Sequence, residues 1–227
     1  MNGLCKILLV TMAAISTKNM AQKMSIPFQA GIEIDGKSND WDGVREYRFI
    51  TDSDSSWRVS GNIGDGDLSG GVKIAWSNDG LYFCIEWKDD IVDTKFIPQD
   101  SSIIRSASGR RMDAMYLYDN LKIQLRAEDL NYSCWLAPDG LQWHQLLEKK
   151  SRVNRPPPTT KSSLNEEGST TIELKIDWVH FGISPEITDG FNLLILINDT
   201  DVPGYSVSKR MKTPRKFVSF SNEITLN

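Results

Sequence analysis

Hydrophobic and polar residues alternate along much of the chain with a period of two. The alternation is clearest in residues 72–76, 81–88, 121–127 and 171–178. Successive side chains of a β-strand point to opposite faces of the sheet, so this period is typical of strands with one buried face. The pattern therefore predicts half-buried antiparallel strands in these four segments.

A continuous apolar run, FNLLILI at 191–197, differs from this pattern and predicts a central strand covered on both faces. Turn residues separate the strands, as in Asn78-Asp79-Gly80 and Pro138-Asp139-Gly140. A short helical turn is expected near 179–182. Further strands are predicted at 32–34, 46–50, 114–118, 131–137, 141–147 and 215–220.

Two polar segments, 51–71 and 148–169, lack strand alternation and are expected to form long loops. About ten short strands without a long helix are typical of two packed sheets. The chain has 227 residues, of which 40% are hydrophobic, which is enough for one domain with a real core. We therefore predict a single all-β domain, an antiparallel β-sandwich or jelly roll.

The N-terminus has the features of an export signal. Lys6 precedes the apolar run 7–16, and Ala21 offers a small residue before a cleavage site. We expect residues 1–21 to be a signal peptide and residues 22–227 to be the mature domain, secreted or periplasmic. The alternative is an ordinary N-terminal helix. No later stretch is long and apolar enough to be a transmembrane segment.

The formal net charge of −4 argues against nonspecific binding of nucleic acid, which needs a broad positive field. Without the signal peptide two cysteines remain, Cys84 and Cys134, both inside predicted strands. An oxidising compartment would permit a disulfide between them. Two buried thiols are the other interpretation, and the sequence leaves both open.

Four ordered motifs link the chain to a known family. They are IEIDGKSNDWDG at 32–43, VKIAWSNDGLYFCIEWKDD at 72–90, DNLKIQL at 119–125, and IELKIDWVHFGISPEITDGFNLLILINDTD at 172–201. In this order and spacing they resemble carbohydrate-binding module family nine, a DOMON-like sandwich. The resemblance implies a β-sandwich that binds sugars, often at glycan ends. It also implies loops stabilised by calcium, and a non-catalytic role beside glycoside hydrolases in glycan breakdown.

The chain departs from the family's pattern at its sugar-binding positions. Tyr116 stands where the family often has a tryptophan, and Lys122 stands where it favours glutamate. No tryptophan follows Trp178, although a second one usually completes the family's aromatic clamp. A structural or surface-assembly domain without a ligand is therefore a rival hypothesis.

Sugar binding needs flat aromatic faces together with polar groups that read hydroxyls. The alternation assigns Trp76, Trp87 and Trp178 to the core, and Trp41 is expected to plug one end of the sandwich. Trp135 fits either the core or a binding platform. The candidate ligand-binding residues are Tyr116, Tyr118, Asn120, Gln142, Trp143 and Trp57.

Three oxygen donors at the end of the central strand form a candidate metal site. Asn198, Asp199 and Asp201 lie within four residues, and a hard cation such as calcium prefers oxygen ligands. Asp35 or Asp40 is expected to complete the site. An ordinary solvated turn is the alternative.

Catalysis has little support in the sequence. His144 and His180 are the only histidines, and neither lies in a zinc-binding spacing or beside a nucleophile motif. No carboxylate pair stands out for glycoside hydrolysis. A haem-binding DOMON-type domain and a hydrolase with unassigned carboxylates remain alternatives to a non-catalytic, carbohydrate-binding domain. The oligomeric state is left open.

Overall fold

The structure is a computed structural model. It describes the residues in these ranges: 23–49, 57–60, 68–89, 120–127, 129–138, 140–149, 151–164, 169–181, 190–199 and 216–226. Within them, none of the helices has the length and apolar character needed to cross a membrane.

A five-stranded antiparallel sheet forms one layer of the sandwich. Its strands are β2 (Glu46–Arg48), β4 (Leu68–Trp76), β5 (Gly80–Asp89), β10 (Thr159–Leu164) and β11 (Ser169–Asp177). Their spatial order is β10-β11-β5-β4-β2. The short helix α1 (Trp178–Phe181) follows β11 directly.

An eight-stranded sheet forms the other layer. The strands are β1 (Lys23–Ile26), β3 (Trp57–Ser60), β6 (Asn120–Ala127), β7 (Leu130–Ala137), β8 (Gly140–Glu148), β9 (Ser151–Val153), β12 (Phe191–Asp199) and β13 (Lys216–Leu226). Their spatial order is β1-β13-β12-β6-β7-β8-β9, and β3 also pairs with β13. Strand β1 runs parallel to β13, whereas the other pairs are antiparallel.

The main hydrophobic core lies between the two sheets and is built from the apolar half of each alternating strand. Ile74, Phe83 and Leu174 come from the five-stranded sheet, and Ile123 and Ile195 from the eight-stranded sheet; all are fully buried. The predicted β-sandwich is therefore confirmed. Removing this apolar area from water is the principal force that holds the layers together.

The structure changes some of the predicted elements. The segments 51–71 and 148–169, expected to be loops, contain β3, the start of β4, β9 and β10. Residues 32–34 form no strand, and 114–118 lie outside the described residues. Strand β12 is central as predicted, but only its inward face is fully buried, because Asn192 is exposed and Leu194 and Leu196 are half-buried.

A second, smaller core lies on the outer face of the five-stranded sheet. The segment 30–45, with a 3-10 turn at Asn39–Trp41, crosses this face and places Trp41 against it. Trp41 is fully buried and belongs to the same apolar cluster as Ala75, Tyr82 and Cys84. The expectation that Trp41 plugs one end of the sandwich was wrong, because it covers a sheet face instead. The other three assignments hold: Trp87 and Trp178 are buried, and Trp76 packs partly buried against the main core.

The two cysteines are not bridged. Cys84 and Cys134 are both buried free thiols, and they lie in different clusters. Cys84 is on the outer face of the five-stranded sheet, whereas Cys134 faces the main core from β7. Of the two interpretations left open by the sequence, the structure has two buried thiols.

Candidate functional site

The outer face of the eight-stranded sheet carries a row of polar side chains along β6. Leu121, Ile123 and Leu125 of this strand are fully buried in the main core. The residues between them therefore face the other side of the sheet. This outer row of β6 consists of Asn120, Lys122, Gln124 and Arg126.

Strand β7 adds its own polar residues beside this row, and one hydrogen bond between side chains joins the two strands. Gln124 Nε2 donates to Asn131 Oδ1 at 2.9 Å. Arg126 donates from a terminal guanidinium nitrogen to Gln124 Oε1 at 3.2 Å. Both groups of the Gln124 amide are therefore used, and they fix Asn131 and Arg126 in position.

Lys122 and Trp135 form the second contact between the strands. The Lys122 ammonium lies 5.2 Å from the centroid of the Trp135 ring, within the range of a cation–π interaction. Lys122 is half-buried, and its pKa is lowered, first by burial and then by the charge of Arg126. Burial disfavours the charged form of an amine, so the ammonium is held here at a cost in free energy.

Much of this polar face is shielded from water. Asn120 is 3% exposed, Gln124 6%, Ser133 9% and Trp135 1%. Trp135 therefore cannot serve as an open stacking platform, which was one of its two predicted roles. The groups that remain accessible are Arg126 and, in part, Lys122 and Asn131.

The structure brings three of the six predicted ligand-binding residues into this region. Asn120 stands at the start of the outer row, and the backbone of Trp143 pairs with that of Trp135. Gln142 lies in β8 where the pairing jumps from Trp143 to Leu141, a β-bulge opposite residues 135 and 136. Bulges are common next to functional sites because they redirect the chain.

The other predicted ligand-binding residues lie elsewhere or are not described. Trp57 is in β3, at the far side of β13, where its backbone pairs with Phe220. Tyr116 and Tyr118 lie outside the described residues. Their assignment as aromatic contacts stays a prediction.

Sequence reasoning missed Gln124, Arg126, Asn131 and Ser133. The signal was present, because the polar half of the alternation in 121–127 is the half that faces away from the core. What the sequence lacked was the pairing of β6 with β7, which places Gln124 beside Asn131 and Lys122 beside Trp135.

The predicted metal site is described only in part. Asn198 and Asp199 are the last residues of β12, and the backbone of Asn198 pairs with those of Asn120 and Phe217. Asp201 lies outside the described residues. Asp35 and Asp40 make hydrogen bonds within the segment 30–45. Asp35 accepts a hydrogen bond from Lys37 N, and Asp40 accepts one from Glu33 N. In the described part of the chain, no group of three or more His, Cys, Asp and Glu side chains is arranged to hold a metal ion.

Both histidines are at least half-buried and lie beside charged or titratable groups. His180 is buried in α1, with Nδ1 3.3 Å from Asp177 Oδ2. His144 lies half-buried in β8, and its pKa is lowered by burial and then by the charges of Arg152 and His180.

Comparison with known proteins identifies the fold. No protein-family model and no curated protein sequence matches the chain. Its structure is similar to a family 9 carbohydrate-binding module of Caldicellulosiruptor kristjanssonii in complex with cellotriose. The TM-score is 0.57 at 14% identity, over 91% of this chain and 94% of that one.

Two further solved structures are similar. The same kind of module in complex with glucose gives a TM-score of 0.58 at 14% identity, covering 91% of this chain and 96% of that one. A Bacteroides uniformis protein provisionally assigned as carbohydrate-binding gives 0.54 at 12% identity, covering 91% and 100%. At these identities the likeness concerns the fold, so this chain has the β-sandwich fold of the family 9 carbohydrate-binding modules.

Proposed function

We propose that this protein is a carbohydrate-binding domain and that the outer face of its eight-stranded sheet holds the saccharide. The observation that carries the proposal is the similarity of fold, over 91% of the chain, to modules in complex with cellotriose and glucose. A shared fold does not by itself fix a function, so the chemistry of the face must support it.

The outer row of β6 offers the groups that recognise sugar hydroxyls. Arg126 and the amide of Asn131 on the neighbouring strand remain accessible, and the buried Gln124 holds both of them through its hydrogen bonds. Polar groups fixed in advance lose little conformational entropy when a ligand binds. The stacking surface would come from Trp143 and from Tyr116 and Tyr118, as expected from the sequence.

We also propose where the domain acts and what it serves. The domain is secreted or periplasmic after loss of residues 1–21, it is non-catalytic, and it serves a system that breaks down glycans. The sequence supports the non-catalytic role, because its two histidines, His144 and His180, lie in no catalytic or zinc-binding motif.

Calorimetry of the exported protein against neutral mono- and oligosaccharides tests the proposal. Gln124→Ala should weaken binding at least fivefold, about 1 kcal/mol, because Arg126 and Asn131 lose the partner that orients them. Gln29→Ala, the same change at a half-buried position next to the five-stranded sheet, should leave affinity unchanged. Folded wild-type protein that binds no saccharide across a broad glycan panel would contradict the proposal. It would favour a structural domain without a ligand.

A further inference from the structure

Two cations lie on one strand of the proposed binding face. Lys122 and Arg126 occupy alternate positions of β6 and face the same side, separated by Gln124. Four residues of extended chain span roughly 13 Å. Arg126 is exposed and is hydrogen-bonded to Gln124, whose other amide group is bonded to Asn131.

No carboxylate of the described chain neutralises this pair. The recorded ion pairs of described residues involve neither Lys122 nor Arg126. Within the described part of the chain, the Lys122 ammonium lies over the Trp135 ring, and the charge of Arg126 repels it rather than compensating it. A half-buried ammonium that has no counter-ion among the described residues is costly, and an anionic ligand would relieve that cost.

The ligand chemistry follows from the neighbours of the two cations. Lysine acts as a point charge toward an anion, whereas the arginine guanidinium can bind a carboxylate or sulfate through two parallel hydrogen bonds. The amide of Asn131, which the buried Gln124 holds in place, lies beside Arg126 and suits hydroxyl groups. The row thus combines anion recognition with hydroxyl recognition on one surface.

We propose that the saccharide bound by this face is acidic, and that Lys122 and Arg126 read its carboxylate or sulfate groups. This inference rests on the proposed carbohydrate-binding function and specifies its substrate class.

Calorimetry with matched trisaccharides tests the inference. Trigalacturonate carries carboxylates, whereas cellotriose is neutral and of the same length. We expect trigalacturonate to bind roughly tenfold more tightly at low salt and to lose this advantage at high salt, because screening weakens exposed charge pairs. A sulfated oligosaccharide forms the third arm, and binding in that arm alone would support the acidic class and assign sulfate as the group.

Charge-removing variants locate the effect. Lys122→Gln and Arg126→Gln should each weaken binding of the acidic trisaccharide several-fold more than binding of cellotriose, because only the acidic ligand loses a charge pair as well as a hydrogen bond. Lys122→Met, which keeps an apolar stem over Trp135, should behave like Lys122→Gln and so separate charge from packing. The matched control is Lys88→Gln, which removes an exposed charge from the outer face of the five-stranded sheet.

The outcomes separate the two proposals. Equal affinity for acidic and neutral trisaccharides, or identical effects of Lys122→Gln and Lys88→Gln, would overturn the inference and leave carbohydrate binding intact. Folded protein that binds none of the three ligand classes would overturn the proposed function, and the inference with it.

Discussion

The indole Nε1 of Trp41 donates a hydrogen bond to Glu173 Oε1 at 2.7 Å, joining residues 132 positions apart. The other carboxylate oxygen of Glu173 accepts from Gly36 N at 2.6 Å and from Asp35 N at 2.9 Å. Glu173 is fully buried, and burial raises its pKa although these three hydrogen bonds act in the opposite direction. One carboxylate on β11 therefore fastens the segment 30–45 to the outer face of the five-stranded sheet.

This arrangement explains why the Ile-Asp-Gly and Asp-Trp motifs occur together. Gly36 has φ +86, and a Cβ atom there would lie 3.1 Å from Lys161 Cγ, so the position favours glycine. The turn at Gly36 presents two backbone N–H groups to Glu173, and the turn at Trp41 presents the indole. The motif residues thus serve the fold rather than a ligand.

Glu173→Gln should lower the free energy of unfolding by about 2 kcal/mol, because the amide nitrogen cannot accept and one buried donor loses its partner. Urea unfolding at neutral pH measures the loss. Glu86→Gln, at a half-buried position on the same face, should stay within about 0.5 kcal/mol of wild type. The substitution Trp41→Phe should lower the free energy of unfolding less in the Glu173→Gln protein than in wild type. Equal costs in both backgrounds would mean that the two residues are not coupled.

The Asn78-Asp79-Gly80 turn makes the folding stability of the protein depend on pH. Burial acts to raise the pKa of Asp79, but hydrogen bonds from Lys175, Ser77 and Tyr82 outweigh it and hold the pKa at about 2, below the usual 3.8. A depressed folded-state pKa stabilises the fold above the unfolded value, and this contribution is lost as the pH falls through about 2. Because 57% of the Asp79 side chain is exposed, we expect a contribution of only roughly 1 kcal/mol.

Asp79→Asn should therefore lower the free energy of unfolding by roughly 1 kcal/mol at neutral pH. At about pH 2, the difference in free energy of unfolding between this variant and wild type should become smaller. Denaturant unfolding at both pH values provides the measurement. The matched control is Asp42→Asn, at an exposed position whose side chain makes no recorded ion pair with another described residue. A pH-independent gap between wild type and Asp79→Asn would mean that this carboxylate is not the titrating group.

The alternation of apolar residues was sufficient to predict the sandwich, because each core strand exposes one face to the core. It failed for β9 and β10, since Thr159–Leu164 is almost entirely polar and forms an edge strand through backbone pairing with β11. The site was harder to predict. Nothing in the sequence relates Lys122 to Trp135. The pairing of β6 with β7 is what places the Lys122 ammonium over the Trp135 ring.

The thiols provide a test of the core. Burial raises the pKa of Cys84, and it raises that of Cys134 to about 12, so neither is a thiolate at neutral pH. We expect a thiol reagent to label both residues in denaturant and to react with neither in the native protein, except through unfolding. Mass spectrometry of peptides from the labelled protein distinguishes the two sites. Rapid native labelling of Cys134 would contradict its position in the main core.

The tryptophans of the β7–β8 hairpin should differ in their effects. Trp135 is 1% exposed, so Trp135→Ala should cost about 3–5 kcal/mol of stability through the cavity that it leaves. Trp143→Ala should weaken saccharide binding and cost less stability, because the sequence assigns Trp143 to the ligand. Thermal melting and calorimetry on the same two variants separate the effects. Equal destabilisation without any change in binding would remove Trp143 from the site.

Calcium should stabilise the protein through the end of β12. Asn198 and Asp199 close the most apolar strand, and Asp201 follows two residues later, so the sequence places three oxygen donors close together. Neighbouring carboxylates repel one another, and a bound cation relieves that repulsion. A cation that binds only the folded state stabilises it by roughly 2.7 kcal/mol at a hundredfold excess over its dissociation constant.

A thermal scan in calcium against one in chelator measures this effect, and the Asp199→Asn/Asp201→Asn double variant shows where it arises. We expect calcium to raise the melting temperature of wild type and to leave the double variant unchanged. Asp129→Asn serves as the control, because the exposed Asp129 follows the end of β6 opposite to Asn120, whose backbone pairs with Asn198. Asp35→Asn tests whether Asp35 completes the site, as the sequence predicts. Identical melting curves of wild type in calcium and in chelator would mean that the loop after β12 is an ordinary solvated turn. Loss of the calcium effect in Asp35→Asn as well would mean that the ion bridges the two sheets, since Asp35 lies over the five-stranded sheet and Asp199 belongs to the eight-stranded one.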